Sequence, residues 1–590
     1  MDLPDHNRFA FFRNWLDLLK KHRELPGSNR VRMIFGSFST GGKFLVFILL
    51  SLLTASFLSI LLELNKETLV AVPAHGGSLN EGIIGSPRFV NPLLATADAD
   101  RDIAILVYSG LMRANSDGTL LPDLASVYEI SEDGLSYTFH IREGTTFHDG
   151  KPVTADDVLF TVEKAQDSVL KSPRRANWEG VHAEKIDAST VLFTLKQPYS
   201  PFLENTTIGI LPKHLWENIS DEEFPFSTRN IDPVGSGPYR VQSVKRDQSG
   251  VPTRYTLSAF KGYALGKPFL SGITLHFYPN EAALLEAYRA GDLDSVSGIS
   301  SADMKNLRLG NGRIERAVLP RVFGLFFNQN QQALFANTEV RRALSLALDR
   351  ERIVNEVFEG YASPITGPIP LGIVPAVDAN AGNIQADAAG AEEMLAKSGW
   401  TLNKDSILEK KSKNKKQTLS FSIATANVPE LRETAEIMKG AWEALGATVE
   451  VKIFEPGDLN QNVIRPRKYD ALLFGEIVGR ELDLYAFWHS SQRNDPGLNV
   501  AMYVNTKADK LLEEMRTTSD TDAKADLYRR FSDAIESDTP AVFAYAPDFI
   551  YIVPNSLHGV SLGVITTPSE RFLDAYRWYI ETDRVWSIFL

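Results

Sequence analysis

The sequence predicts an α/β protein of more than one domain that follows a single membrane-spanning helix. A chain of 590 residues exceeds the size of an ordinary single domain. Its 44% apolar and 23% charged residues are typical of a folded protein. Patterns typical of strands alternate with patterns typical of helices, and residues 44–62 form an uncharged apolar run. We therefore expect a large α/β body behind one apolar helix.

Residues 337–360 predict two consecutive helices. Asn337 and Asp349 are candidate N-caps, because a short polar side chain there accepts a hydrogen bond from a free N–H of the first turn. Gly360 is the candidate end of the second helix. The residues that share one helical face and should be buried are Val340, Ala343, Leu344, Ala347, Leu348, Ile353, Val354, Val357 and Phe358. Taken alone, this pattern indicates only a pair of packed helices.

Three other segments have recognisable local patterns. Residues 137–158 predict a strand, a glycine-containing turn, a short second strand and a helix that begins at Thr154 or Asp156. Residues 234–239 (VGSGPY) predict a tight turn before another strand, with the glycines allowing the bend. The lysine-rich residues 410–417 predict a solvated hairpin or loop rather than a site for phosphate or anionic lipid.

Five segments resemble, in the same order, the motifs of family 5 of the extracytoplasmic solute-binding proteins, which serve dipeptide, oligopeptide and nickel ABC importers. The segments are 137–158, 234–239, 286–294, 326–328 and 334–354. The last contains VRRALSLALDRERIV, which is similar to the family's signature V-R-x-A-x-x-x-A-x-D-R-x-x-I-V. The C-terminal third of the chain resembles the family more loosely.

The resemblance implies a two-lobed periplasmic-binding-protein fold of the cluster C type, with an extra subdomain in the first lobe. Lobe I would comprise residues 76–318 with a return segment at 552–590, and lobe II would comprise residues 322–550. Two strands, at 318–328 and 542–553, would cross between the lobes as a hinge. In this family the lobes close over a ligand and the closed form docks on a permease, which requires a ligand that binds the closed state better.

The apolar residues 44–62 are predicted to cross the cytoplasmic membrane. At about 1.5 Å per residue, this run reaches roughly the thickness of the hydrocarbon core. Residues 1–43 carry eight Lys and Arg against four acidic residues, so the positive-inside rule places the N-terminus in the cytoplasm and the rest of the chain outside. A signal peptide cleaved near residues 72–74 is the alternative, although that position lies well past the apolar run.

The cytoplasmic segment 1–43 has a helical pattern of its own. Its apolar side chains predict either an interfacial helix on the inner leaflet or a helix that packs on a partner. The side chains that share this face are Phe9, Phe12, Trp15, Leu16 and Leu19.

The composition excludes several classes of function. The net charge is −12, and the part of the chain after residue 43 is more acidic than the whole, which disfavours nucleic acid as a partner. The chain has no cysteine, which excludes a lipidated cysteine anchor, disulfide bonds and thiolate metal sites. We expect no cofactor.

Catalytic signatures fail in their sequence context, so we expect no enzyme activity. Residues 559–563 fit G-x-S-x-G, but the residues that follow do not begin a helix and no histidine comes after His558. His140 and His148 flank a turn without the spacing of metal ligands, and both are predicted to be structural. The chain has no Walker A motif, so ATP hydrolysis belongs to other subunits of an importer.

The resemblance also proposes a ligand-binding loop at residues 474–485 (FGEIVGRELDLY). Peptide-binding relatives hold the ligand's α-amino group with an Asp three residues before a D-P pair. If Asp483 takes the place of the Asp in that pair, Arg480 occupies the amine-binding position, where a guanidinium suits a carboxylate or phosphate instead. Glu476 or Glu481 would supply the anion if the loop is shifted. The alternative is that Arg480 and Glu481 belong to a solvated loop.

Other candidate ligand contacts rest on looser resemblance or on aromatic character, and for each aromatic a role in the core is the alternative. These candidates are Asn91, Tyr108, Asn328, Trp488 and Tyr503.

Two functions follow from the sequence. The first is a membrane-tethered solute-binding subunit of an ABC importer, with a peptide or another small solute as ligand and the permease and ATPase subunits as partners. The second keeps the same fold but makes the protein a ligand sensor or a surface scaffold that acts through its cytoplasmic segment. A permease and an ATPase encoded beside this chain would favour import.

Overall fold

The computed structural model describes residues 33, 35–370, 372–374, 377, 385–412, 415–480 and 482–586. The predicted helix of residues 9–19, most of the predicted cytoplasmic segment 1–43 and the candidate Glu481 lie outside the described residues.

The described helices of nine residues or more are α1 (Thr40–Thr68), α2 (Asp98–Val107), α3 (Ala155–Gln166), α4 (Glu281–Ala290), α5 (Thr338–Leu346), α6 (Arg350–Phe358), α7 (Ala388–Lys397), α8 (Pro429–Ala444), α9 (Thr506–Thr517) and α10 (Thr521–Asp538). The described strands are β1 (Leu69–Pro73), β2 (Ser78–Ile84), β3 (Met112–Ala114), β4 (Leu120–Pro122), β5 (Ala125–Ile130), β6 (Ser136–Ile141), β7 (His182–Lys185), β8 (Thr190–Thr194), β9 (Tyr239–Arg246), β10 (Pro252–Ala259), β11 (Gly272–Tyr278), β12 (Ser295–Ser297), β13 (Gly312–Val318), β14 (Arg321–Phe327), β15 (Ala362–Pro364), β16 (Thr401–Leu402), β17 (Leu408–Ser412), β18 (Lys415–Thr418), β19 (Ser420–Ala426), β20 (Thr448–Phe454), β21 (Ala471–Ile477), β22 (Ala541–Pro554) and β23 (Thr582–Trp586).

The first compact unit consists of residues 1–72 and 582–590. It contains the apolar helix α1, which begins after Ser39, whose hydroxyl accepts a hydrogen bond from the N–H of Gly42. Within α1, residues Thr40–Ile60 have a mean hydropathy of 2.2 and no buried side chains in their most apolar stretch. Among the described residues, α1 is the one helix that is long and apolar enough to cross a membrane, and a signal sequence would meet the same criteria. Strands β1 and β23 pair in the same unit.

The second compact unit, Pro73–Glu581, is built around one mixed sheet. Its strand order is β20-β19-β21-β14-β22-β12-β2-β11-β10-β9, and β13 and β15 also pair with β22. A separate antiparallel sheet, β5-β6-β8-β7, packs against α3. The two predicted crossing strands are therefore neighbours in the middle of the main sheet, as β14 and β22.

Strand β22 connects two hydrophobic cores. Its beginning pairs with β14, with Phe323 opposite Tyr545, and its end pairs with β13, with Val318 opposite Asp548. The first core draws on residues 79–319 and 549–578, and the second core draws on residues 322–546. These cores follow the predicted lobes closely. Because residues 73–581 form one compact unit, the exact lobe boundaries stay a prediction.

The predicted pair of helices is confirmed as α5 and α6. Asn337 and Asp349 cap them by accepting hydrogen bonds from the N–H groups of Glu339 and Arg352, and every predicted core residue of the pair is buried. Helix α6 ends slightly before the predicted Gly360. Glu359 already adopts a left-handed conformation with φ of 50°, and Gly360 follows with φ of 81°.

The two signature arginines bind backbone carbonyls rather than a ligand. Arg350 Nε donates to the carbonyls of Ile365 and Phe543 at 3.0 and 2.8 Å, and Arg341 Nε donates to that of Thr539 at 2.9 Å. Both side chains are buried, and burial lowers the pKa of Arg350 to about 10. The signature therefore fastens α5 and α6 to the start of β22 and the residues before it.

The segment 137–158 forms the predicted first strand and the predicted helix, and the structure decides between the two candidate N-caps. Helix α3 begins after Thr154, whose backbone N–H and hydroxyl both donate to the Asp157 carboxylate at 2.9 and 2.8 Å. The predicted short second strand is only an isolated bridge between Thr146 and Pro152. His148 is structural, as predicted, because its Nε2 lies 3.0 Å from the carbonyl of Gly237. Burial lowers its pKa to about 4.

The glycines at 235 and 237 serve a purpose other than the predicted bend. Neither has a positive φ. A Cβ on Gly235 would lie 2.1 Å from the carbonyl oxygen of Val107, and one on Gly237 would lie 2.6 Å from the carbonyl carbon of the same residue. The absence of a side chain therefore lets this turn pack directly on the end of α2.

Two loop predictions are also confirmed. Strands β17 and β18 form an antiparallel hairpin, with Lys410 opposite Gln417. Residues 555–567, which contain the G-x-S-x-G match, include neither a strand nor a helix in the described structure, so they lack the strand–turn–helix arrangement of a nucleophile elbow.

Candidate ligand-binding cleft

A cavity of about 490 Å³ lies where chain segments from the two cores meet. Helix α2, the residues that follow it and the residues around Trp178 and Glu204 line one side. Residues 477–480 and Asp483, at and just after the end of β21, line the other. The C-terminal segment completes the wall with Thr566, Thr567, Ser569, Glu570 and Leu573. This volume is within the range of small-molecule sites, which is about 300–1,000 Å³. We refer to this cavity as the cleft.

Arg480 joins the two sides of the cleft. Its guanidinium forms an ion pair with Glu570, lies 3.9 Å from the carboxylate of Glu204 and donates to the carbonyl of Val564 at 2.9 Å. The Arg480 side chain is only 3% exposed. Arg480 therefore lies at the cleft, as predicted, but its charge is already neutralised by two carboxylates of the opposite wall.

A second set of contacts crosses the same cleft at Asp483. The Arg516 guanidinium lies 3.2 Å from the Asp483 carboxylate, and the Tyr199 hydroxyl donates to that carboxylate at 3.4 Å. The Arg516 guanidinium also stacks on the rings of Tyr199 and Tyr485, at 5.2 and 4.5 Å from their centroids. Asp483, which the resemblance aligns with the Asp of the D-P pair, therefore links the two sides of the cleft through its contact with Tyr199.

Glu570 is held in place by the residue next to it. The guanidinium of Arg571 is buried and binds the carboxylates of Glu81 and Asp102 at 2.9 and 2.7 Å. The hydroxyl of Tyr551 donates to Glu81 at 2.8 Å. This network ties the C-terminal segment to β2, α2 and β22, and it fixes the wall from which Glu570 reaches Arg480.

Two arginines of the first-core wall are less completely paired. Arg174, which lines the cleft, has an exposed side chain and has no ion pair within 4 Å among the described residues. Partial removal from water at the cleft wall and the nearby charge of Arg101 lower the pKa of Arg174, whereas the carboxylates of Glu204 and Glu570 oppose that shift. Arg101 lies 3.5 Å from Asp98, and its Nε is buried without a hydrogen-bond partner in the described part of the chain.

The deeper end of the cleft contains a buried carboxyl group. Asp123 is 4% exposed, and burial raises its pKa to about 6 despite the nearby Arg113 guanidinium. Arg113 itself pairs with Asp574 at 3.1 Å. The cleft therefore has a weakly acidic end and a wall that carries arginines.

The structure places the sequence candidates in three groups. Arg480 and Tyr108 line the cleft. Glu481 lies outside the described residues. The others, which do not line the cleft, are Glu476, Trp488, Tyr503, Asn91 and Asn328.

Each of the polar or aromatic candidates away from the cleft has a structural role. Trp488 is fully buried in the second core, with its ring 6.0 Å from that of Phe326. Tyr503 donates to Asp538 at 2.7 Å, Asn91 donates to Asn230 at 3.2 Å, and Asn328 donates to the carbonyl of Arg467 at 2.9 Å. These contacts support the core alternative for the two aromatics.

Glu476 is a buried carboxyl group of β21 that does not reach the cleft. It is 3% exposed, and neither carboxyl oxygen makes a hydrogen bond of normal geometry with the described residues. Burial raises its pKa well above the usual value, and the Trp488 side chain opposes that rise only in part. Burial therefore disfavours the charged form of Glu476, the form that would hold a ligand's ammonium group.

Sequence reasoning missed the remaining charged residues of the cleft. Arg101 is one of several charged residues on α2, Arg174 belongs to an arginine pair after a proline, and Glu570 lies in the loosely matching C-terminal segment. None is part of a motif, and a pair of arginines in a loop is normally solvated. Only the fold brings together residues that are hundreds of positions apart.

The family model described as "Bacterial extracellular solute-binding proteins, family 5 Middle" matches residues 119–524. The chain belongs to this family. The match covers the cleft-lining residues from Asp123 to Asp483, but not those before residue 119 or those of the C-terminal segment. Membership confirms the resemblance that the five segments predicted, and the family consists of solute-binding proteins rather than enzymes.

Relatives and solved structures agree with this assignment. The Oligopeptide-binding protein AppA of Bacillus subtilis (strain 168) is 32% identical over 519 residues, which cover 86% of this chain and 92% of AppA. The structure of B. subtilis AppA in complex with a nonapeptide has a TM-score of 0.63 at 29% identity and covers 86% of this chain and 100% of that chain. The structure of NikZ from Campylobacter jejuni in complex with Ni(L-His) has a TM-score of 0.66 at 28% identity and covers 85% and 99%. These matches confirm the predicted periplasmic-binding-protein fold.

Proposed function

We propose that this chain is the membrane-tethered solute-binding subunit of an ABC importer and that it encloses a peptide or similar small solute in the cleft. Residues 76–318 with 552–590 would form one lobe and residues 322–550 the other. The lobes would close about β14 and the adjoining part of β22. Support comes from the two cores that flank these strands and from the named binding partners of AppA and NikZ, which are a nonapeptide and a nickel complex of histidine.

The observation that carries the proposal is the set of contacts across the cleft. Arg480 and Asp483 come from the chain segment of the second core, whereas Glu570, Glu204 and Tyr199 come from the segments of the first core. A cavity enclosed by two chain regions that touch through a few charged contacts is suited to opening and closing. Such a cavity binds and releases solute when the ligand prefers the closed state.

The tether and the partners are part of the same proposal. Helix α1 would remain uncleaved and anchor the chain in the cytoplasmic membrane, with residues 1–43 inside and the solute-binding unit on the extracytoplasmic side. The excess of Lys and Arg in residues 1–43 supports that orientation. A permease and an ATPase would complete the importer, as they do for this family.

The test is a thermal-shift screen of the full-length chain in lipid nanodiscs against di- to pentapeptides. Each peptide is used as the free form, the N-acetylated form and the C-terminal amide. A peptide at about 100 times its dissociation constant should stabilise the folded state by roughly 2.7 kcal/mol. Stabilisation by free peptides supports the proposal. No response from ligand-free, folded protein would contradict the peptide part and return the search to other solutes or to the sensor alternative.

A further inference from the structure

Strand β1 is an apolar strand that the protein does not bury. Its residues, Leu69–Pro73, have the sequence LVAVP and include no polar side chain. Each of them is half-buried or exposed, and Val70 is 41% exposed. A strand of an antiparallel pair that faces water normally carries polar residues on that face. The sequence of β1 is therefore unsuited to lying in water without a further partner.

The partner of β1 within its sheet is β23, which ends in an exposed tryptophan. The two strands form a separate two-stranded sheet, which we call the ribbon. The N–H of Ala74, just after β1, donates to the carbonyl of Glu581, just before β23, at 2.9 Å. The end of β1 therefore meets the start of β23, so the strands run antiparallel and Trp586, the last residue of β23, lies beside the first residues of β1. Trp586 is 52% exposed, and a two-stranded sheet alone in water is marginally stable at best.

The ribbon follows the predicted membrane helix without a linker. Leu69 is both the residue that caps the end of α1 and the first residue of β1. The apolar run ends at residue 62, and the helical residues 63–68 extend about 9 Å beyond it. The headgroup layer on each side of the hydrocarbon core is about 5–8 Å thick. When α1 crosses the membrane, β1 therefore begins at the outer edge of the headgroups.

The ribbon has a composition that suits this boundary. Tryptophan is enriched at membrane–water interfaces, where its ring lies at the level of the headgroups and its N–H finds a polar partner. In β23 the exposed charged residues Asp583 and Arg584 precede Trp586. Apolar β1 and the Trp586 ring thus gain a partner at the lipid surface, while the charged side chains of β23 stay in a polar environment.

We propose that the ribbon lies on the outer surface of the cytoplasmic membrane as a second membrane contact, with Trp586 inserted among the phospholipid headgroups. The inference rests on the part of the proposed function in which α1 remains as the anchor. The chain passes between the first compact unit and the solute-binding unit at residues 72–73 and again at 581–582. Both of these connections would then start from the membrane surface, so that the solute-binding unit is tethered twice.

The test is depth-dependent fluorescence quenching of the full-length chain in phospholipid vesicles. Because the chain has no cysteine, one introduced cysteine carries the fluorophore NBD at a single position. The variants are W586C and V70C in the ribbon, L52C in α1, and the control L402C, which labels an equally exposed leucine of β16. The quenchers are phospholipids with a nitroxide on the headgroup or at the middle of the acyl chain. Thermal unfolding of each variant shows that the solute-binding unit is folded.

We expect the labels at positions 586 and 70 to be quenched more strongly by the headgroup nitroxide than by the acyl-chain nitroxide. The label at position 52 should show the reverse order, and the label at position 402 should be quenched by neither. Adding W586S to V70C should shift the ribbon roughly 10-fold from the membrane-bound towards the free form, since a large apolar side chain leaves the lipid. Adding W586F instead should preserve the quenching at position 70.

The outcomes separate this inference from the proposed anchor. If position 52 is quenched but position 586 is quenched no more than position 402, the ribbon contact is overturned and the anchor stands. If position 52 is not quenched by the acyl-chain nitroxide, α1 does not cross the bilayer and the anchor fails as well. Quenching at position 70 that W586S leaves unchanged would overturn the role of Trp586. Shielding of position 586 from aqueous iodide without quenching by either lipid would mean that another protein covers the ribbon, and it would also overturn the proposal.

Discussion

Arginine side chains have different roles in the signature helices α5 and α6 and in the cleft. In the signature, Arg341 and Arg350 are buried and donate to backbone carbonyls around the start of β22. In the cleft, Arg101 and Arg174 line a cavity and lack comparable partners among the described residues. The first pair is recognisable in the sequence and builds the fold, whereas the second pair belongs to no motif and lines the cleft. Family motifs here identify the scaffold better than they identify the ligand.

Replacing Arg571 should have the largest effect on the free energy of unfolding. This buried arginine lies outside every motif, so it shows that arginines of the scaffold are not confined to the motifs. R571M would leave Glu81 and Asp102 buried without their cation, and the loss of one partner of a buried ion pair costs about 3–5 kcal/mol. Chemical denaturation measures the free energy of unfolding. Stability within 1 kcal/mol of the wild type would show that the network is not needed to hold the C-terminal segment.

His148 tests whether a motif residue serves only the fold. Its folded-state pKa of about 4 lies below the usual histidine value of 6.5, so the unfolded chain binds more protons than the folded chain between these values. The stabilisation is present above pH 6.5 and is lost as the pH falls towards 4, by an amount on the order of 3 kcal/mol.

The control for His148 is H148Q, which keeps a donor and an acceptor but does not titrate. Unfolding of both proteins is compared at several pH values from 7 to 4. The wild type should lose more stability than H148Q over this interval. Parallel curves for the two proteins would contradict the structural role of the neutral imidazole.

Replacing Arg350 tests whether a signature arginine contributes to stability and not to ligand binding. R350K keeps the positive charge but loses the planar fork that binds the carbonyls of Ile365 and Phe543. We expect about 2–3 kcal/mol of destabilisation with unchanged ligand affinity in the folded protein. A changed dissociation constant at unchanged stability would place Arg350 in ligand binding instead.

The smallest effect is expected from Arg480, which bridges the cleft. R480Q removes the ion pair with Glu570 and the approach to Glu204, with a loss of about 1 kcal/mol or less of stability, because both carboxylates are partly exposed and water can solvate them once the guanidinium is gone. The ligand-free protein should populate a more open form, and small-angle scattering should record a larger radius of gyration. An unchanged radius would show that Arg480 does not hold the two walls together.

The sequence predicted the scaffold in some detail, because its signals are local. The capped helices α5 and α6, the hairpin of β17 and β18 and the apolar α1 follow from spacing, caps and alternation. Strands β14 and β22 lie where the family resemblance implies two crossing strands. The local explanation for Gly235 and Gly237, a tight bend, was wrong. These positions lack a side chain because the backbone of Val107, distant in the sequence, leaves no room for a Cβ.

The cleft could not be predicted to the same degree, since its chemistry depends on distant residues. The loop at 474–485 contains Arg480, which lines the cleft, but the ion pair of Arg480 with Glu570 cannot be read from the sequence. Glu476 and Trp488 were selected for residue type, and the pleat of β21 and the packing of the second core place both away from the cavity. Arg174 was missed because an arginine pair in a loop has no distinctive pattern.

The most direct test of the contrast between scaffold and cleft is the increase in unfolding free energy that saturating Ala-Ala-Ala produces in R174Q and R350K. We predict that R174Q keeps the ligand-free stability of the wild type within about 0.5 kcal/mol but loses most of the ligand-induced increase. R350K should show the reverse, with a less stable ligand-free protein and a full increase on ligand addition. If R174Q is destabilised like R350K and retains the full increase, the division between scaffold arginines and solute-binding arginines is wrong.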